Sequence, residues 1–246
     1  METIIILSWQ ISLHGEDETI RPANVNISMD LGKITGIIEI DMKFEVKFEL
    51  FIDWFDKRLT WMHLLNNKSL NILIDDEISK IWTPTLVFKN TEQEEMTRFD
   101  NSSIILIEKA TDFETDQSDL HETTYFPGSE NPISYSRMYT TNFLCQFELQ
   151  RYPFDTQTCE IDIRPIKREL NFVKLIPSKL KYSGPKEMLT YSVIDYGIRE
   201  SEHGSVVVTV KLKRMVSRHI LSTYLPSLCI LVIAQVIIIS ILIIIM

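Results

Sequence analysis

The sequence predicts a mainly β protein, an antiparallel β-sandwich domain followed by one transmembrane α-helix. Three observations support this fold class. Several segments alternate apolar and polar residues with the period of two that is typical of half-buried strands. Segments with a helical period are few, and turn residues separate the strands at short intervals, as they do in sandwiches. Residues 220–246 contain no charged side chain, which indicates a membrane span.

The longest alternating segment is "DMKFEVKFELFID", residues 41–53. Its apolar residues share one face, and lysines and glutamates occupy the other. The segments 23–34 and 205–214 repeat the pattern, and the first of them places Asn26 on the outer face. The acidic stretch 91–131 has few core residues, so we predict loops there around one short strand. Further strands are predicted at Ser103–Ile107, Ser136–Leu144, Thr158–Ile163 and Tyr191–Ile198.

The C-terminal span is predicted at Leu225–Met246. Its only interruptions are one proline and three small or amide side chains. As a helix it would be about 33 Å long, enough to cross the hydrocarbon core of a bilayer. A buried core helix and a lipid-anchor signal that is removed after synthesis are the alternatives.

The side of the membrane on which the sandwich lies depends on two opposed signals. Four basic residues precede the span and would favour the cytosol, although long domains cross membranes largely regardless of charge. Three Asn-x-Ser sequons, at Asn26, Asn67 and Asn101, suit N-glycosylation of an extracellular domain. We therefore predict an extracellular domain.

The predicted organisation has three parts. Residues 1–20 contain a short apolar stretch but carry Glu2 where a signal peptide has a positive charge, so they are an imperfect signal peptide or an incomplete start. Residues 21–218 form the extracellular sandwich, and residues 219–246 form the transmembrane helix.

The composition excludes several function classes. A net charge of −9 and a pI near 5.1 argue against nucleic-acid binding, which needs a basic surface. The five histidines show no metal-ligand spacing, and no G-x-S-x-G or H-E-x-x-H motif is present. We therefore predict no enzyme activity, no cofactor and no metal site. An immunoglobulin-type adhesion domain is another alternative, but it needs a wider cysteine spacing with a tryptophan between the cysteines.

Two cysteines stand close together in the segment "CQFELQRYPFDTQTC", from Cys145 to Cys159. In a secreted sandwich they can pair, which leaves Cys229 alone in the span. Closing a loop of about 15 residues stabilises a fold by about 3 kcal/mol on the chain-entropy model. The pair Tyr152-Pro153 favours a tight turn whose peptide bond can be cis.

The predicted tip of this loop presents one apolar and one charged side chain, Phe154 and Asp155. A stiffened tip of this composition is suited to contact another surface. The loop resembles the signature loop of the Cys-loop, or pentameric, ligand-gated ion channels. "WFDKRLTW", residues 54–61, resembles the family's W-x-D-x-R-L motif, and "IWTPTLVFKN", residues 81–90, its W-x-P-D segment, with Thr85 in place of the aspartate.

A third segment extends the resemblance to the membrane. "LKRMVSRHILSTYLPSLCILVI" resembles the last strand of the extracellular domain, its terminal arginine and the first transmembrane helix. The resemblance therefore runs from about residue 21 to about residue 233. It implies a subunit of a neurotransmitter-gated ion channel in the plasma membrane, at a synapse in many members. It also implies a small-molecule agonist and a homo- or hetero-pentamer with other subunits.

The resemblance further implies a set of coupling residues at the membrane end. In the family, agonist binding reaches the pore through the cysteine loop, the turn between two early strands and the arginine before the first helix. On this sequence these positions are Glu39 or Asp41, Phe154 and Asp155, and Arg214. The alternative is that Asp155 and Arg214 fasten the domain to its helix in every state.

The resemblance is weaker at the agonist site, which in amine-binding members is a box of aromatic rings. The corresponding positions here are Glu49, Phe88, Lys89 and Ile166, and Tyr191 and Tyr196 lie near the short capping loop, residues 199–205. Few of them are aromatic. Three alternatives stay open: a different ligand, a contribution to the complementary face alone, or a silent subunit.

The pore of the resembled family is lined by its second transmembrane helix, whereas this sequence includes only the first. Two interpretations follow. The chain is a fragment of a longer channel subunit, or it is a truncated, non-conducting product that acts as a ligand-binding decoy or dominant-negative partner.

Overall fold

The computed structural model describes residues 6–7, 22–92, 95–110, 125–201 and 204–245. Most of the predicted N-terminal segment therefore lies outside the described residues. Two five-stranded sheets enclose one hydrophobic core, and a long helix follows the sandwich. The strands are β1 Ile6–Leu7, β2 Ala23–Ile38, β3 Lys43–Trp54, β4 Leu59–Met62, β5 Leu86–Phe88, β6 Glu95–Met96, β7 Ser103–Ile107, β8 Tyr125–Pro127, β9 Ile133–Leu144, β10 Thr156–Pro165, β11 Val173–Tyr182, β12 Tyr191–Glu200 and β13 Val206–Arg214.

The first sheet has the strand order β11-β2-β3-β9-β7, and the second has the order β12-β13-β10-β5-β6. β3 is the central strand of the first sheet and pairs antiparallel with β9 from Lys43 opposite Leu144 to Trp54 opposite Ile133. β10 is central in the second sheet, where Cys159 lies opposite Val210 of β13. A small third sheet, β1-β4-β8, lies beside the sandwich. The mainly β sandwich predicted from the alternation is thus confirmed.

The core consists of the apolar face of each alternating strand. In β3, alternate residues from Phe44 to Trp54 are at most 1% exposed. An aromatic group at the centre contains Phe48, whose ring lies 5.5 Å from Tyr139 and 5.6 Å from Phe88. Aromatic pairs at such separations stabilise a core beyond their buried area. Because successive side chains of a strand point to opposite faces, the apolar period alone determines which face is buried.

The structure adds short strands that were not predicted, among them β6 and β8 in the stretch 91–131, where one short strand was expected. Two further departures concern longer segments. Met42 was grouped with the inward face but lies in the turn before β3, with φ of 53° and 41% of its surface exposed. β11 was not predicted because its exposed and buried residues do not alternate. It pairs in parallel with β2, with an irregularity between Pro177 and Leu180. A parallel partner and a bulge both remove the simple period that sequence patterns report.

The chain leaves the sandwich through a continuous helical segment. α1, Asp75–Ile78, and a 3₁₀ turn, Lys68–Leu70, lie within the sandwich domain. After β13 come α2 Val216–His219, a π-helical turn Ile220–Tyr224 and α3 Leu225–Ile245. Among the described residues, one helix, Ile220–Ile243, is long and apolar enough to cross a membrane.

Candidate functional site

The cysteine loop connects the two sheets at the end of the sandwich from which the helix departs. Cys145 follows β9 and Cys159 lies within β10, and their sulfur atoms are bonded across a Cα–Cα distance of 5.1 Å. The Tyr152-Pro153 peptide bond is cis. Phe154 is 71% exposed, so the loop does present an apolar tip.

Arg214, the last residue of β13, is the centre of a buried ionic cluster beside this loop. Its Nε donates to Asp155 Oδ1 at 2.6 Å and its Nη2 to Asp155 Oδ2 at 3.0 Å, which is a bidentate pair. Its Nη1 donates to Glu39 Oε1 at 2.7 Å. Only 5% of the Arg214 side chain is exposed. The planar guanidinium can make these contacts together because its donors form a rigid fork.

Asp155 lies inside this cluster and not at the exposed tip of the loop, which corrects the prediction. Only 2% of its side chain is exposed. Gln157 Nε2 donates to Asp155 Oδ2 at 2.5 Å, and the Gln157 amide also bonds the backbone of Glu148 in both directions, at 2.8 and 3.0 Å. The loop therefore buries its carboxylate and exposes only its phenylalanine, because a carboxylate in the interior needs several donors.

Of the two predicted carboxylates in the early turn, Glu39 is the one that reaches the cluster. It lies in the turn between β2 and β3, and 29% of its side chain is exposed. Asp41 is exposed, and no ion pair joins it to Arg214 within the described residues. The backbone N–H of Cys145 donates to the carbonyl of Met42 at 2.8 Å, which ties this turn to the cysteine loop.

Tyr191 belongs to the same cluster, which corrects its predicted place beside the capping loop. It begins β12 and lies opposite Arg214, whereas the turn after β12 begins beyond Glu200, at the other end of the strand. Its hydroxyl donates to Glu39 Oε1 at 3.0 Å and accepts a hydrogen bond from Arg214. The Tyr191 ring also lies 4.6 Å from the guanidinium carbon, and the Tyr152 ring lies 4.9 Å from it on the loop side. Tyr191 was assigned by proximity in sequence, which does not report at which end of a strand a residue lies.

The contacts of the cluster shift its proton affinities. Burial alone would raise the pKa of the Asp155 carboxyl, but the hydrogen bonds from Arg214 and Gln157 outweigh burial and hold that pKa below its usual value. Burial would lower the pKa of Arg214, but its carboxylate partners raise it. Burial raises the pKa of the Tyr191 hydroxyl, against the charge of Arg214. All three groups are thus fixed in one protonation state near neutral pH.

The other predicted ligand-contact residues are distributed over both sheets of the sandwich. Lys89 follows β5 and is exposed, and Ile166 follows β10 and is half-buried. Phe88 is fully buried in the aromatic core, so its predicted contact with an agonist is wrong in this structure. Tyr196 is 43% exposed, and its ring lies 5.7 Å from that of Tyr182.

Glu49 lies on the outward face of the first sheet, in an open groove between β2 and β3. Asp30 is directly opposite Glu49, and Lys33 is directly opposite Lys47. Asp30 accepts hydrogen bonds from Lys181 and Ser183, at 3.2 and 2.9 Å. No ion pair neutralises Lys33, Lys47 or Glu49 within the described residues. Like charges directly opposite each other on a sheet are destabilising, so the two lysines would be stabilised by an added anion. The groove also includes Met138.

The three sequons differ in their surroundings. Asn67 and Asn101 are exposed in turns, whereas Asn26 is half-buried within β2 between two neighbouring strands. The Asn67 side-chain oxygen accepts hydrogen bonds from the backbone and hydroxyl of Ser69, at 3.2 and 2.5 Å. Among the described residues, no group of three or more histidine, cysteine or carboxylate side chains is arranged to hold a metal ion.

Comparisons with known proteins agree with the fold. The family model for the neurotransmitter-gated ion-channel ligand binding domain matches residues 12–224. The gamma-aminobutyric acid receptor subunit beta-4 of Gallus gallus is 23% identical over 227 residues, which cover 87% of this chain and 42% of the relative. The gamma-aminobutyric acid receptor subunit beta-like of Drosophila melanogaster is 22% identical over 238 residues, covering 87% and 43%. The chain thus spans about two fifths of the length of these relatives.

Proposed function

The chain belongs to the family of neurotransmitter-gated ion channels, and we propose that it acts as a receptor subunit whose sandwich binds a small-molecule agonist and transmits binding to a membrane pore. The observation that carries this proposal is the cluster around Arg214. The contacts of Arg214 bring four elements together. These are the turn between β2 and β3, the cysteine loop, the start of β12, and the end of β13, which leads into the helical segment. A relative motion of any of these elements must therefore change contacts of one guanidinium.

Within this cluster we assign a switching role to the Glu39 contact and an anchoring role to Asp155. The Asp155 pair is bidentate and almost fully buried, so breaking it would leave an uncompensated charge in the interior. Glu39 makes one hydrogen bond to Arg214 and is 29% exposed, so water can replace that contact at a lower free energy. Changing this weaker contact can bias a two-state element without unfolding the domain.

A double-mutant cycle on the complete receptor subunit tests the coupling. Asp155→Arg and Arg214→Asp are introduced singly and together, and agonist-evoked currents are recorded from cells that express each variant. We expect each single reversal to abolish or strongly shift activation and the double reversal to recover part of it, because the ion pair is restored with opposite polarity. Strictly additive effects would contradict the pairing. Glu39→Gln should change gating with normal surface expression.

The groove around Glu49 supports a charged ligand in preference to an aromatic-box amine. Lys33 and Lys47 offer two ammonium groups that make no ion pair among the described residues, and Glu49 and Asp30 offer carboxylates in the same groove. Tyr196 is the one exposed aromatic side chain among the predicted contact positions. We propose a small ligand that carries a carboxylate, and the relatives named for gamma-aminobutyric acid make that amino acid the first probe.

Binding of tritiated gamma-aminobutyric acid, glycine and acetylcholine to membranes of expressing cells tests this ligand class. We expect displaceable binding of an amino acid and none of acetylcholine, and we expect Lys47→Met to weaken that binding. The control is Lys57→Met, an exposed lysine outside the groove. Binding of acetylcholine alone would contradict the proposal.

Assembly, location and modification complete the proposed function. We propose a pentamer of this subunit or of this subunit with relatives, in the plasma membrane with the sandwich outside, and glycans at Asn67 and Asn101. A shift in gel mobility after glycosidase treatment, lost in Asn67→Gln and Asn101→Gln, would support the location. Agonist binding without current would favour the non-conducting decoy.

A further inference from the structure

The segment that departs from the W-x-P-D pattern is held by a carboxylate from another part of the chain. The backbone N–H of Thr85 donates to Glu169 Oε2 at 3.1 Å. The backbone N–H of Ile166 donates to the Thr85 carbonyl at 3.1 Å. Both polar groups of this backbone position are therefore bonded to the turn that follows β10, one of them by a charge-assisted hydrogen bond.

Glu169 is itself fixed in that turn. Its N–H donates to the Ile166 carbonyl, and its own carbonyl accepts from Phe172 and Val173, all at 2.9 Å. Its side chain is 13% exposed. The nearest cation, Arg168 Nε, lies 3.9 Å from the other carboxylate oxygen on a side chain that is 78% exposed, so water screens that pair. The strongest contact of the carboxylate is therefore the one with Thr85.

The two segments that Glu169 joins are those that carry two predicted agonist positions. Lys89 lies four residues after Thr85, at the end of β5, and Ile166 begins the turn that contains Glu169. β5 and β10 are paired from Phe88 opposite Ile163 to Leu86 opposite Pro165. The pairing of β5 with β10 ends at Pro165. The hydrogen bonds of Thr85 hold the two segments together one residue beyond that point.

We infer that Glu169 is a positioning residue that fixes the turn 166–172 against the segment 83–89 and so sets the separation of the two agonist-contact segments. This inference rests on the proposed function for its role in binding, but not for its geometry. A threonine at position 85 has no carboxylate, and the chain supplies one from position 169. The two segments therefore move as one unit when a ligand or a neighbouring subunit contacts either of them.

Two substitutions of Glu169 test this inference on the full chain in detergent. Amide hydrogen exchange is measured for Glu169→Thr, which removes the acceptor, and for Glu169→Gln, which is the conservative change. In Glu169→Thr we expect the Thr85 amide to exchange about tenfold faster, the effect of losing one hydrogen bond to a charged group, with amides of β3 unchanged. We expect Glu169→Gln to be intermediate because its side-chain oxygen still accepts.

One control and the possible outcomes decide the question. Glu130→Thr, an exposed glutamate in another turn, should leave all these amides unchanged. Unchanged exchange at Thr85 in Glu169→Thr, or equal acceleration throughout the sandwich, would each overturn the inference. If the wild type binds tritiated gamma-aminobutyric acid, affinity should fall in Glu169→Thr and fall less in Glu169→Gln. If it binds none of the probes, the ligand proposal fails and the exchange measurements still decide the positioning role.

Discussion

Charged residues are paired at one region of the sandwich and unpaired at another. The first region is the end from which the helix departs, around Arg214, and is called the membrane end. The second is the outer face of the first sheet around Lys33 and Lys47, and is called the lateral face. At the membrane end, Arg214, Asp155 and Glu39 are bonded to one another, and the first two are almost completely buried. On the lateral face, Lys33 and Lys47 oppose each other in the open with no ion pair among the described residues. Each end has charges of both signs, so charge content does not distinguish them.

The two regions differ in whether their charges are paired within the chain. A buried ionic cluster must satisfy itself, since an unpaired charge in the interior costs several kcal/mol. An exposed charge is solvated by water, so it can stay unpaired in the free protein with little loss of stability. The charges of the membrane end are accordingly paired within the chain, and we propose the lateral face as the recognition surface. Substitutions at the membrane end should therefore mainly change the free energy of unfolding, and substitutions on the lateral face should mainly change ligand binding.

The largest effect on stability is expected at the centre of the Arg214 cluster. Arg214→Met leaves two carboxylates without their cation, and we expect it to lower the free energy of unfolding by about 3–5 kcal/mol. Urea unfolding of the chain in detergent, followed by the fluorescence of the buried tryptophans Trp54 and Trp61, measures it. Lys213→Met, one residue earlier and exposed, is the matched control. Equal effects of the two substitutions would remove the distinction between the buried cluster and the exposed surface.

The disulfide should have the next largest effect. Cys145→Ser with Cys159→Ser opens a loop with a sequence separation of 14. On the chain-entropy model we expect a loss of about 3 kcal/mol in the free energy of unfolding, because the unfolded chain regains the conformations that the cross-link removed. The same urea titration measures it. A loss smaller than that of Tyr191→Phe would show that the buried contacts of the loop, and not the cross-link, hold it in place.

Tyr191→Phe and Tyr196→Phe compare the two tyrosines that were predicted to lie near the same capping loop. It keeps the ring beside Arg214 and removes one hydroxyl that bonds Glu39 and Arg214, so we expect a loss of about 2 kcal/mol in the free energy of unfolding. Tyr196→Phe removes a hydroxyl from an exposed residue and should change stability by less than about 0.5 kcal/mol. A larger loss of stability in Tyr196→Phe than in Tyr191→Phe would contradict the place of Tyr191 in the Arg214 cluster.

The pH dependence of stability provides a smaller effect with a defined sign. The folded pKa of Asp155 lies below its ordinary 3.8, so the ionised carboxylate stabilises the fold above that pH. That stabilisation is lost as the pH falls from 3.8 through the lower folded value. We expect Asp155→Asn to have a flatter stability profile than the wild type below pH 3.8, measured by thermal unfolding at a series of pH values. Parallel profiles would mean that other carboxylates dominate acid unfolding.

The smallest effect on stability is expected on the lateral face. Lys33→Ala, Lys47→Ala and Glu49→Gln alter exposed or half-buried charges, and each should change the free energy of unfolding by less than about 0.5 kcal/mol. Their effect should appear in ligand binding instead. A small stabilising effect of either lysine substitution would indicate that Lys33 and Lys47 repel each other in the free protein, as expected for like charges directly opposite on a sheet. A large destabilisation would show that these charges already have structural partners.

Sequence patterns were sufficient to predict the β architecture, the buried face of β3 and β13, the helix that can cross a membrane, and the cysteine loop with its exposed Phe154. Each of these depends on a local property, such as the period of two, the length of an apolar run or the spacing of two cysteines. Local properties are visible in sequence because the residues that create them are neighbours in the chain.

Contacts between distant residues could not be predicted from the sequence and are seen in the folded chain. Folding brought Glu39 and not Asp41 to Arg214, placed Tyr191 in the Arg214 cluster and Phe88 in the core, buried Asp155, and joined Glu169 to Thr85. The physical reason is that these contacts depend on strand order and register, which are set by pairing between segments far apart in the chain. A period of two states which face a residue occupies, but it does not state which end of a strand lies beside which loop.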